Sequence, residues 1–257
     1  MVIETEIDAR GVRTLWLSRE DVHNAMNAEM MDAITALAAD LKPGGETRVL
    51  VLAGRGKSFC AGGDLGWMRA QFEADSATRA VEARRLADML YALHRLDIPV
   101  ISRVHGNCFG GGVGLTCIAD AAVGVRGKLL GLTETRLGII PATIGPYVHA
   151  RMGPRLNEVF MSSRRFEAEE AVRLGILSKA VDEADLDAAI EAEVTPYLAC
   201  APGAVSEAKA LARRFGPTID AALIEATMEA LTTRWESQEA ADGVSAFFDK
   251  RPPPWAL

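Results

Sequence analysis

The sequence predicts an α/β protein in which a layered core of strands and helices is followed by a helical C-terminal region. Over residues 2–146, short apolar segments typical of strands alternate with longer segments whose apolar residues recur every three or four positions, as on one face of a helix. Beyond residue 146 the strand signals nearly vanish, except at 176–181. The chain has 257 residues, of which 49% are hydrophobic and 25% charged, so a core of ordinary globular size can form.

The N-terminal part of the predicted core contains three strands and one helix. Residues 2–7 and 14–17 read as two short strands. A helix follows that Asn27 caps at its N-terminus and that ends before the Pro-Gly-Gly at 43–45. Residues 49–53, Val-Leu-Val-Leu-Ala, form a continuous apolar run, which is typical of a strand buried on both faces.

Two glycine-rich segments interrupt the rest of the core. The first glycine loop, residues 54–66, follows the buried strand, and the second, residues 106–114, follows another apolar strand. The remaining predicted elements are, in chain order, a helix over 78–96, the strand at 99–104, an apolar helix from the second glycine loop to Asp120, a strand at 121–125, and loop and turn over 131–146.

The C-terminal part is predicted to be helical. Helical patterns cover 155–174, 183–199, 203–214 and 218–241. We place the boundary near 195–205, which gives a core over residues 1–198 and a helical region over 199–257.

Charge and cysteine content exclude several classes of function. The chain carries 28 Lys and Arg against 35 Asp and Glu, a net charge of −7, which disfavours binding to nucleic acid or an anionic membrane surface. The four cysteines form no C-x-x-C pair, which favours reduced thiols over a disulfide frame or a zinc site. The acidic start has no signal-peptide pattern, and no apolar run approaches ~18 residues. We therefore predict a cytoplasmic protein without a metal site.

The two glycine loops match no nucleotide-binding motif. Gly56-Lys57-Ser58 ends like a P-loop, but the first glycine of that motif would stand at Val51, inside a strand. The second loop lacks the G-x-G-x-x-G spacing, and no G-x-S-x-G is present. Backbone N–H groups of both loops can converge on one point as a two-donor oxyanion hole, or the glycines can simply allow tight strand–helix packing. Spacing alone leaves both interpretations open.

Five segments, in this order and spacing, resemble the crotonase family. They are 22–27 (VHNAMN), 59–65 (FCAGGDL), 105–115 (HGNCFGGGVGL), 133–141 (TETRLGIIP) and 243–251 (GVSAFFDKR). The resemblance implies a spiral of repeated β-β-α units with a C-terminal helical trimerisation region, assembled as a homotrimer or a dimer of trimers. It also implies an acyl-CoA substrate whose thioester oxygen is held by the N–H groups of Ala61 and Gly111. No separate cofactor is implied, because coenzyme A is part of the substrate.

The acid–base residues depart from the pattern of the family's hydratases. One family glutamate matches Glu134, whereas the other matches Gly114, which cannot transfer a proton. Glu134 alone can serve as base and then acid, or a substrate carboxylate or an ordered water can fill the space at Gly114. An apolar pocket would raise the pKa of Glu134. The plain structural alternative is that Glu134 only caps a turn through its neighbours Thr133 and Thr135.

The resemblance also implies contacts with the substrate. The residues expected to bind CoA or the acyl group are Val22, His23, Ala25, Asp64, Leu65, Gly114 and Lys250. For His23 and Lys250 a solvated surface position is the competing interpretation. Asp64 is expected to anchor its loop through backbone N–H groups.

These observations predict a lyase that adds water to a 2-enoyl-CoA. Within the family the segments look most like bacterial hydratases of branched, carboxylated substrates, of the methylglutaconyl-CoA and isohexenylglutaconyl-CoA type. One alternative is a Δ3,Δ2-enoyl-CoA isomerase, which needs only one carboxylate. Another is a non-catalytic protein that binds CoA or forms oligomers.

Overall fold

The computed structural model describes residues 1–256, so Leu257, the last residue of the predicted helical region, lies outside the described part. The strands are β1 (Ile3–Ile7), β2 (Val12–Leu17), β3 (Val49–Gly54), β4 (Ser58–Cys60), β5 (Val100–Val104), β6 (Asn107–Phe109), β7 (Ala121–Val125), β8 (Leu129–Gly131), β9 (Arg165–Glu167) and β10 (Lys179–Val181). The helices are α1 (Ala28–Asp40), α2 (Leu65–Glu73), α3 (Ser76–His94), α4 (Gly111–Ile118), α5 (Gly145–Met152), α6 (Ala168–Leu174), α7 (Leu186–Leu198), α8 (Pro202–Phe215), α9 (Ala221–Trp235) and α10 (Gln238–Phe248).

The strands form two sheets that the chain visits in turn. The large sheet has the order β1-β2-β3-β5-β7-β10, antiparallel only between β1 and β2. The small sheet has the order β4-β6-β8-β9, with an antiparallel pair β8–β9. After β3, β5 and β7 in the large sheet the chain adds β4, β6 and β8 to the small sheet, and a helix follows each time. The predicted spiral of β-β-α units is therefore confirmed.

The strands of the large sheet follow from the sequence pattern. Every residue of β3 is buried, as the run Val-Leu-Val-Leu-Ala predicts, and β3 pairs with β5 in the register Leu50–Val100. Asn27 caps α1, as predicted, by accepting a hydrogen bond from the N–H of Met30 at 3.0 Å.

The sequence patterns did not predict the small sheet or several helix boundaries. Each strand of the small sheet has only three residues, which is too short for a periodic signal. Helix α2 lies where no helix was predicted, and α5 begins at the end of a predicted loop. The predicted helix 155–174 is wrong: a 3₁₀ segment (Gly153–Glu158) and β9 precede α6. The predicted helix 218–241 is divided into α9 and α10 because Ser237 caps a new helix.

The C-terminal helices return to the core. Helix α9 packs on α3, and α10 packs on the 3₁₀ turn Glu134–Leu137, called here the Glu134 turn. The connection between α7 and α8, residues 199–201, falls within the predicted boundary region, and the division into two parts stays a prediction. Within residues 1–256, no helix combines the length and the apolar character that crossing a membrane requires.

Candidate active site

A cavity of about 1050 Å³ lies between the two glycine loops, the Glu134 turn and helix α10. Gly62, Gly63, Gly110 and Gly111 form one wall, and Glu134 lines the cavity as well. Its apolar part is lined by Met31, Met68, Leu86, Ile139, Ile144 and Leu231. The structure therefore brings together the two loops and the glutamate that the sequence predicted as one site.

The two glycine loops approach each other closely. A β-carbon added to Gly62, whose φ is +95°, would lie 3.2 Å from the carbonyl oxygen of Phe109 and 3.7 Å from the nitrogen of Gly111. Gly111 is the first residue of α4, so its N–H has no partner within the helix. At these distances a side chain on Gly62 would push the two glycine loops apart, so their close approach requires glycine. Both interpretations of the loops, close packing and N–H groups at a common point, are thus compatible with the geometry.

The first loop presents the amide of Gly63 rather than that of Ala61. The N–H of Ala61 donates to the carbonyl of His23 at 3.0 Å, so it is already engaged. Gly63 forms a parallel bridge with Met26, in which the Gly62 carbonyl and the Asp64 N–H make the hydrogen bonds. In such a bridge the N–H of the central residue points to the opposite side of the strand. The Ala61 N–H is therefore not available for the expected role, and Gly63 is the residue of the first loop whose N–H is directed away from the bridge.

The turn that carries Glu134 is held in place by side chains of a neighbouring segment. The hydroxyl of Ser163 accepts a hydrogen bond from the N–H of Arg136 at 2.9 Å and is paired with Thr135 Oγ1 at 2.6 Å. Gly138 ends the turn with a φ of +72°. Ser163 thus caps the turn from a neighbouring segment, and the role of Glu134 as acid–base residue or as a cap stays a prediction.

The carboxylate of Glu134 is poised to exchange a proton. Its Oε2 is buried without a hydrogen-bond partner, and its Oε1 lies 3.0 Å from the point where a β-carbon on Gly110 would stand. Burial raises the pKa of Glu134 to about 7, while the backbone amides of Glu134 and Thr133 partly offset this effect. A carboxyl group with this pKa is available in both protonation states near neutral pH.

Ile144 occupies the space that Gly114 leaves. A β-carbon on Gly114 would lie only 2.4 Å from Cγ2 of Ile144, which is buried at the start of α5 and lines the cavity. The expectation that a substrate carboxylate or a water fills this space is therefore wrong, and Gly114 itself does not line the cavity. An apolar side chain stands where the family pattern has a second glutamate.

The other predicted substrate-binding residues divide into two groups. Leu65 and Lys250 line the cavity. The structure does not place Val22, His23, Ala25 or Asp64 in the cavity wall. Ala25 is buried, Val22 is exposed, and the ring of His23 lies 3.1 Å from the hydroxyl of Ser58.

Asp64 has a clear structural task. Its Oδ1 accepts the N–H of Trp67 at 2.9 Å and so caps α2, while its Oδ2 pairs with Arg19 at 3.0 Å. This arrangement agrees with an anchoring role and explains why helix α2 begins directly after the first glycine loop.

The cavity also contains charges besides those of Glu134 and Lys250, the two that the sequence analysis singled out. Its ionisable lining residues, within the described chain, are Glu134 and four cations, namely Arg136, Arg165, Lys250 and Arg251. A protein with a net charge of −7 thus has a locally positive cavity. Arg136 lies two residues after Glu134 in the TETRLG segment. This position near the proposed catalytic group is the only sequence signal that could have identified it.

Comparison with known proteins gives a consistent result. The family model described as enoyl-CoA hydratase/isomerase matches residues 8–256. A Rhodobacter capsulatus protein named "probable enoyl-CoA hydratase" is 30% identical over 250 residues, covering 95% of this chain and 94% of its own. The crystal structure of an enoyl-CoA hydratase from Mycobacterium smegmatis aligns with a TM-score of 0.80 at 32% identity, covering 99% of both chains. That of a Mycobacterium avium enoyl-CoA hydratase aligns with a TM-score of 0.84 at 28% identity, again covering 99% of each.

The family model covers nearly the whole chain, and the spiral of β-β-α units, the paired glycine loops and the buried glutamate are the features expected from the sequence resemblance. The chain therefore belongs to the enoyl-CoA hydratase/isomerase, or crotonase, family.

Proposed function

We propose that this protein is a lyase that adds water to the double bond of a 2-enoyl-CoA, with Glu134 as its single acid–base residue. The observation that carries the proposal is the buried carboxylate of Glu134, whose pKa is about 7 and whose Oε1 faces the second glycine loop. Relatives named as enoyl-CoA hydratases support the same reaction type. No separate cofactor enters the proposed reaction.

The reaction begins with polarisation of the substrate. The N–H groups of Gly63 and Gly111 hold the thioester oxygen and stabilise the negative charge that develops on it. Each such donor contributes roughly 2.7–4 kcal/mol of transition-state stabilisation in comparable sites. Lys250 and Arg251 at the cavity lining attract the anionic CoA moiety.

Glu134 then transfers one proton in two steps. The ionised carboxylate takes a proton from water while the water oxygen bonds to C3, and the electrons of the double bond move into the thioester to form an enolate. The protonated Glu134 returns this proton to C2, and the enolate collapses to the thioester. The product carries OH on C3 and H on C2, and Glu134 ends ionised as it began.

A second candidate, isomerisation of a 3-enoyl-CoA, is favoured by the packing of Ile144 against Gly114. This packing leaves Glu134 as the one carboxylate among the cavity-lining residues of the described chain. In this reaction Glu134 removes a proton from C2 and returns it to C4 through a dienolate, so one carboxylate suffices. A non-catalytic CoA-binding role is the third possibility, and the unpartnered carboxylate is the observation against it.

The substrate class, location and assembly are part of the same proposal. We propose a branched or carboxylated acyl group, of the methylglutaconyl-CoA type, because Arg136 and Arg165 line the cavity and neither has an acidic partner within the described residues. Cytoplasmic location and a homotrimer or dimer of trimers remain predictions from the sequence and the resemblance. Helix α8 has no buried residue and exposes Leu211 and Phe215, which fits a surface that a second subunit covers.

The test uses the purified protein with a panel of 2-enoyl-CoA and 3-enoyl-CoA thioesters, including crotonyl-CoA and methylglutaconyl-CoA. Loss of enoyl absorbance with formation of 3-hydroxyacyl-CoA supports hydration, whereas a gain of conjugation from 3-enoyl-CoA supports isomerisation. Glu134→Gln should abolish either activity, and Glu158→Gln, at a carboxylate outside the cavity, should retain it. Full activity of Glu134→Gln would contradict the mechanism.

A further inference from the structure

Asn24 lies in an unusual backbone conformation directly beside the first glycine loop. Its φ is +56°, and the preceding residue His23 has a φ of +55°. The left-handed region is sparsely populated by residues other than glycine, and it persists only where the surroundings stabilise it. Asn24 is completely buried, so the cause of this conformation must be sought in its contacts.

The amide side chain of Asn24 uses its acceptor and both donors on the backbone. Its Oδ1 accepts the N–H of Arg19 at 2.9 Å. Its Nδ2 donates to the carbonyl of Arg55 at 2.8 Å and to that of Ser58 at 2.8 Å. One side chain therefore joins the segment before it to both ends of the tight loop that leads from β3 into β4.

The loop and the Asn24 side chain pack so closely that no other group has room between them. A β-carbon on Gly54 would lie 2.9 Å from Nδ2 of Asn24 and 2.7 Å from the carbonyl oxygen of Phe59. The backbone of the loop thus wraps directly around the side-chain amide. Removing the amide would leave the buried carbonyl of Ser58 and the partly buried carbonyl of Arg55 without these donors, a costly arrangement.

The segment that Asn24 holds is the one that orients the catalytic amide. The carbonyl of His23 accepts the N–H of Ala61 at 3.0 Å. Two residues beyond Asn24, the N–H of Met26 donates to the carbonyl of Gly62 at 2.8 Å, and its carbonyl accepts the N–H of Asp64 at 2.9 Å. These bonds engage the Gly62 carbonyl and the Asp64 N–H on either side of Gly63, so the Gly63 N–H is directed to the other side of the strand.

We propose that Asn24 is a positioning residue for the oxyanion hole: its three side-chain hydrogen bonds fix segment 23–26 against the first glycine loop and thereby fix the direction of the Gly63 N–H. Asn24 does not line the cavity, so it acts through the backbone and not on the substrate. This inference rests on the proposed function, because it assigns a role within the oxyanion hole that the proposed reaction requires.

The inference predicts that loss of Asn24 lowers the rate of catalysis and leaves substrate binding unchanged. Asn24 is not among the residues that line the cavity, so loss of Asn24 should leave the affinity for a saturated acyl-CoA nearly unchanged. Misdirection of one oxyanion donor should lower kcat by about 10²-fold, as loss of such a donor does in comparable sites. The pH profile should not move, since Glu134 is not among the contacts of Asn24.

Asn24→Gly is the most informative variant, because glycine accepts a positive φ while it removes all three side-chain bonds. The readouts are kcat, the dissociation constant of a saturated acyl-CoA, and the infrared carbonyl band of the bound thioester. This band shifts when the oxyanion hole polarises the carbonyl, and its measurement requires no turnover.

Asn24→Asp, which keeps the acceptor and loses the donors, serves if the glycine variant does not fold. Thr47→Ala is the control, because it removes a buried hydrogen bond to Arg13 far from the cavity.

The expected result is a normal dissociation constant, a carbonyl band returned toward its position in solution, and a kcat reduced by about 10²-fold, with Thr47→Ala close to wild type. A folded Asn24 variant with wild-type kcat and carbonyl band would overturn the inference. Equal losses in the Asn24 and Thr47 variants would overturn it as well, since they would indicate general destabilisation. If the wild-type protein polarises the carbonyl but hydrates no enoyl-CoA, the proposed function fails while a band shift lost on substitution of Asn24 still supports the positioning role.

Discussion

At the scale of single residues, the chemistry of the site depends on what surrounds one carboxylate. Glu134 has a buried Oε2 without a partner, and no cation pairs with it among the described residues. Desolvation therefore dominates and raises its pKa to about 7. The result is a group that is neither a permanent anion nor a permanent acid at neutral pH, as a residue that must act first as base and then as acid requires.

Glu134→Gln should make the protein more stable at alkaline pH. A carboxyl group whose pKa is higher in the folded chain than its ordinary value of 4.5 binds its proton more tightly when folded, so stability is lost as the pH rises from 4.5 through about 7. The neutral amide avoids this loss, and above pH 8 the variant should gain about 3 kcal/mol in the free energy of unfolding. Urea unfolding at pH 4 and pH 8.5 measures the effect. A gain of equal size at pH 4, where wild-type Glu134 is protonated, would contradict this explanation.

In the wild-type protein, kcat/KM should rise with pH through a midpoint near 7, because the proposed reaction starts from the ionised form of Glu134 in the free protein. A profile without a rising limb between pH 6 and 8 would assign the base role to another group.

Gly114→Ala should be destabilising because of a single neighbour. Its β-carbon would stand 2.4 Å from Cγ2 of Ile144, and overpacking of this kind typically costs about 1–3 kcal/mol. The smaller side chain of Ile144→Ala leaves room for the methyl group that Gly114→Ala adds. The destabilisation by Gly114→Ala should therefore vanish when both substitutions are present. Thermal or urea unfolding of the four proteins of this double-mutant cycle gives the coupling free energy, and strict additivity would show that the two residues do not compete for the space.

At the scale of secondary-structure elements, several groups at or beside the cavity lie near the ends of helices. Asp64 caps α2 directly after the Gly63 amide, and Gly111 starts α4. At the other end of the chain, α10 ends at Phe248, and Lys250 two residues later is left-handed, with a φ of +54°, and lines the cavity. Glycine is the usual residue at such a position. We infer that the lysine is kept here for its charge, at a cost in backbone energy.

Lys250→Gly should therefore stabilise the fold and weaken substrate binding. Relief of the left-handed conformation should add about 1 kcal/mol to the free energy of unfolding. Loss of the ammonium group should raise KM for an acyl-CoA about two- to fivefold, as expected for an exposed charge pair, and the difference should shrink at high salt. Lys250→Arg keeps the charge and is the control for binding. Unchanged KM in the glycine variant would remove Lys250 from the substrate-binding residues.

At the scale of the whole molecule, the spiral brings together segments that are far apart along the chain, and the C-terminal helix closes over them. The carbonyl of Leu137 lies 2.4 Å from where a β-carbon on Gly243 would stand, and Arg234 donates to the carbonyl of Gly138 at 2.7 Å. The burial that raises the pKa of Glu134 thus depends in part on α10, more than a hundred residues later in the sequence.

Gly243→Ala should loosen this closure. The added methyl group would displace α10 from the Glu134 turn and admit water to the carboxylate. The pKa of Glu134 should then fall, and the rising limb of kcat/KM should move to lower pH. The pH profile is the decisive measurement, with Gly203→Ala, where an added β-carbon has no neighbour within 4 Å, as the control. A profile unchanged from wild type would show that α10 does not contribute to the burial of Glu134.

The resemblance to the family identified Glu134 as the acid–base candidate, and the sequence by itself determined the local features: the strands of the large sheet, the capped helix α1 and the two glycine loops. These are visible because apolar runs, caps and glycines act over a few residues. Three-residue strands have no such signal, and the small sheet and the division of the last helices escaped prediction for that reason.

Only the tertiary structure decided which amide of the first glycine loop is directed away from its neighbours, and what fills the space at Gly114. The direction of the Gly63 N–H depends on the φ of Gly62 and on bonds to Met26, and the packing at Gly114 depends on Ile144, thirty residues away. Both are relations between distant segments. They follow from how the elements pack against each other, which no local pattern of residues records.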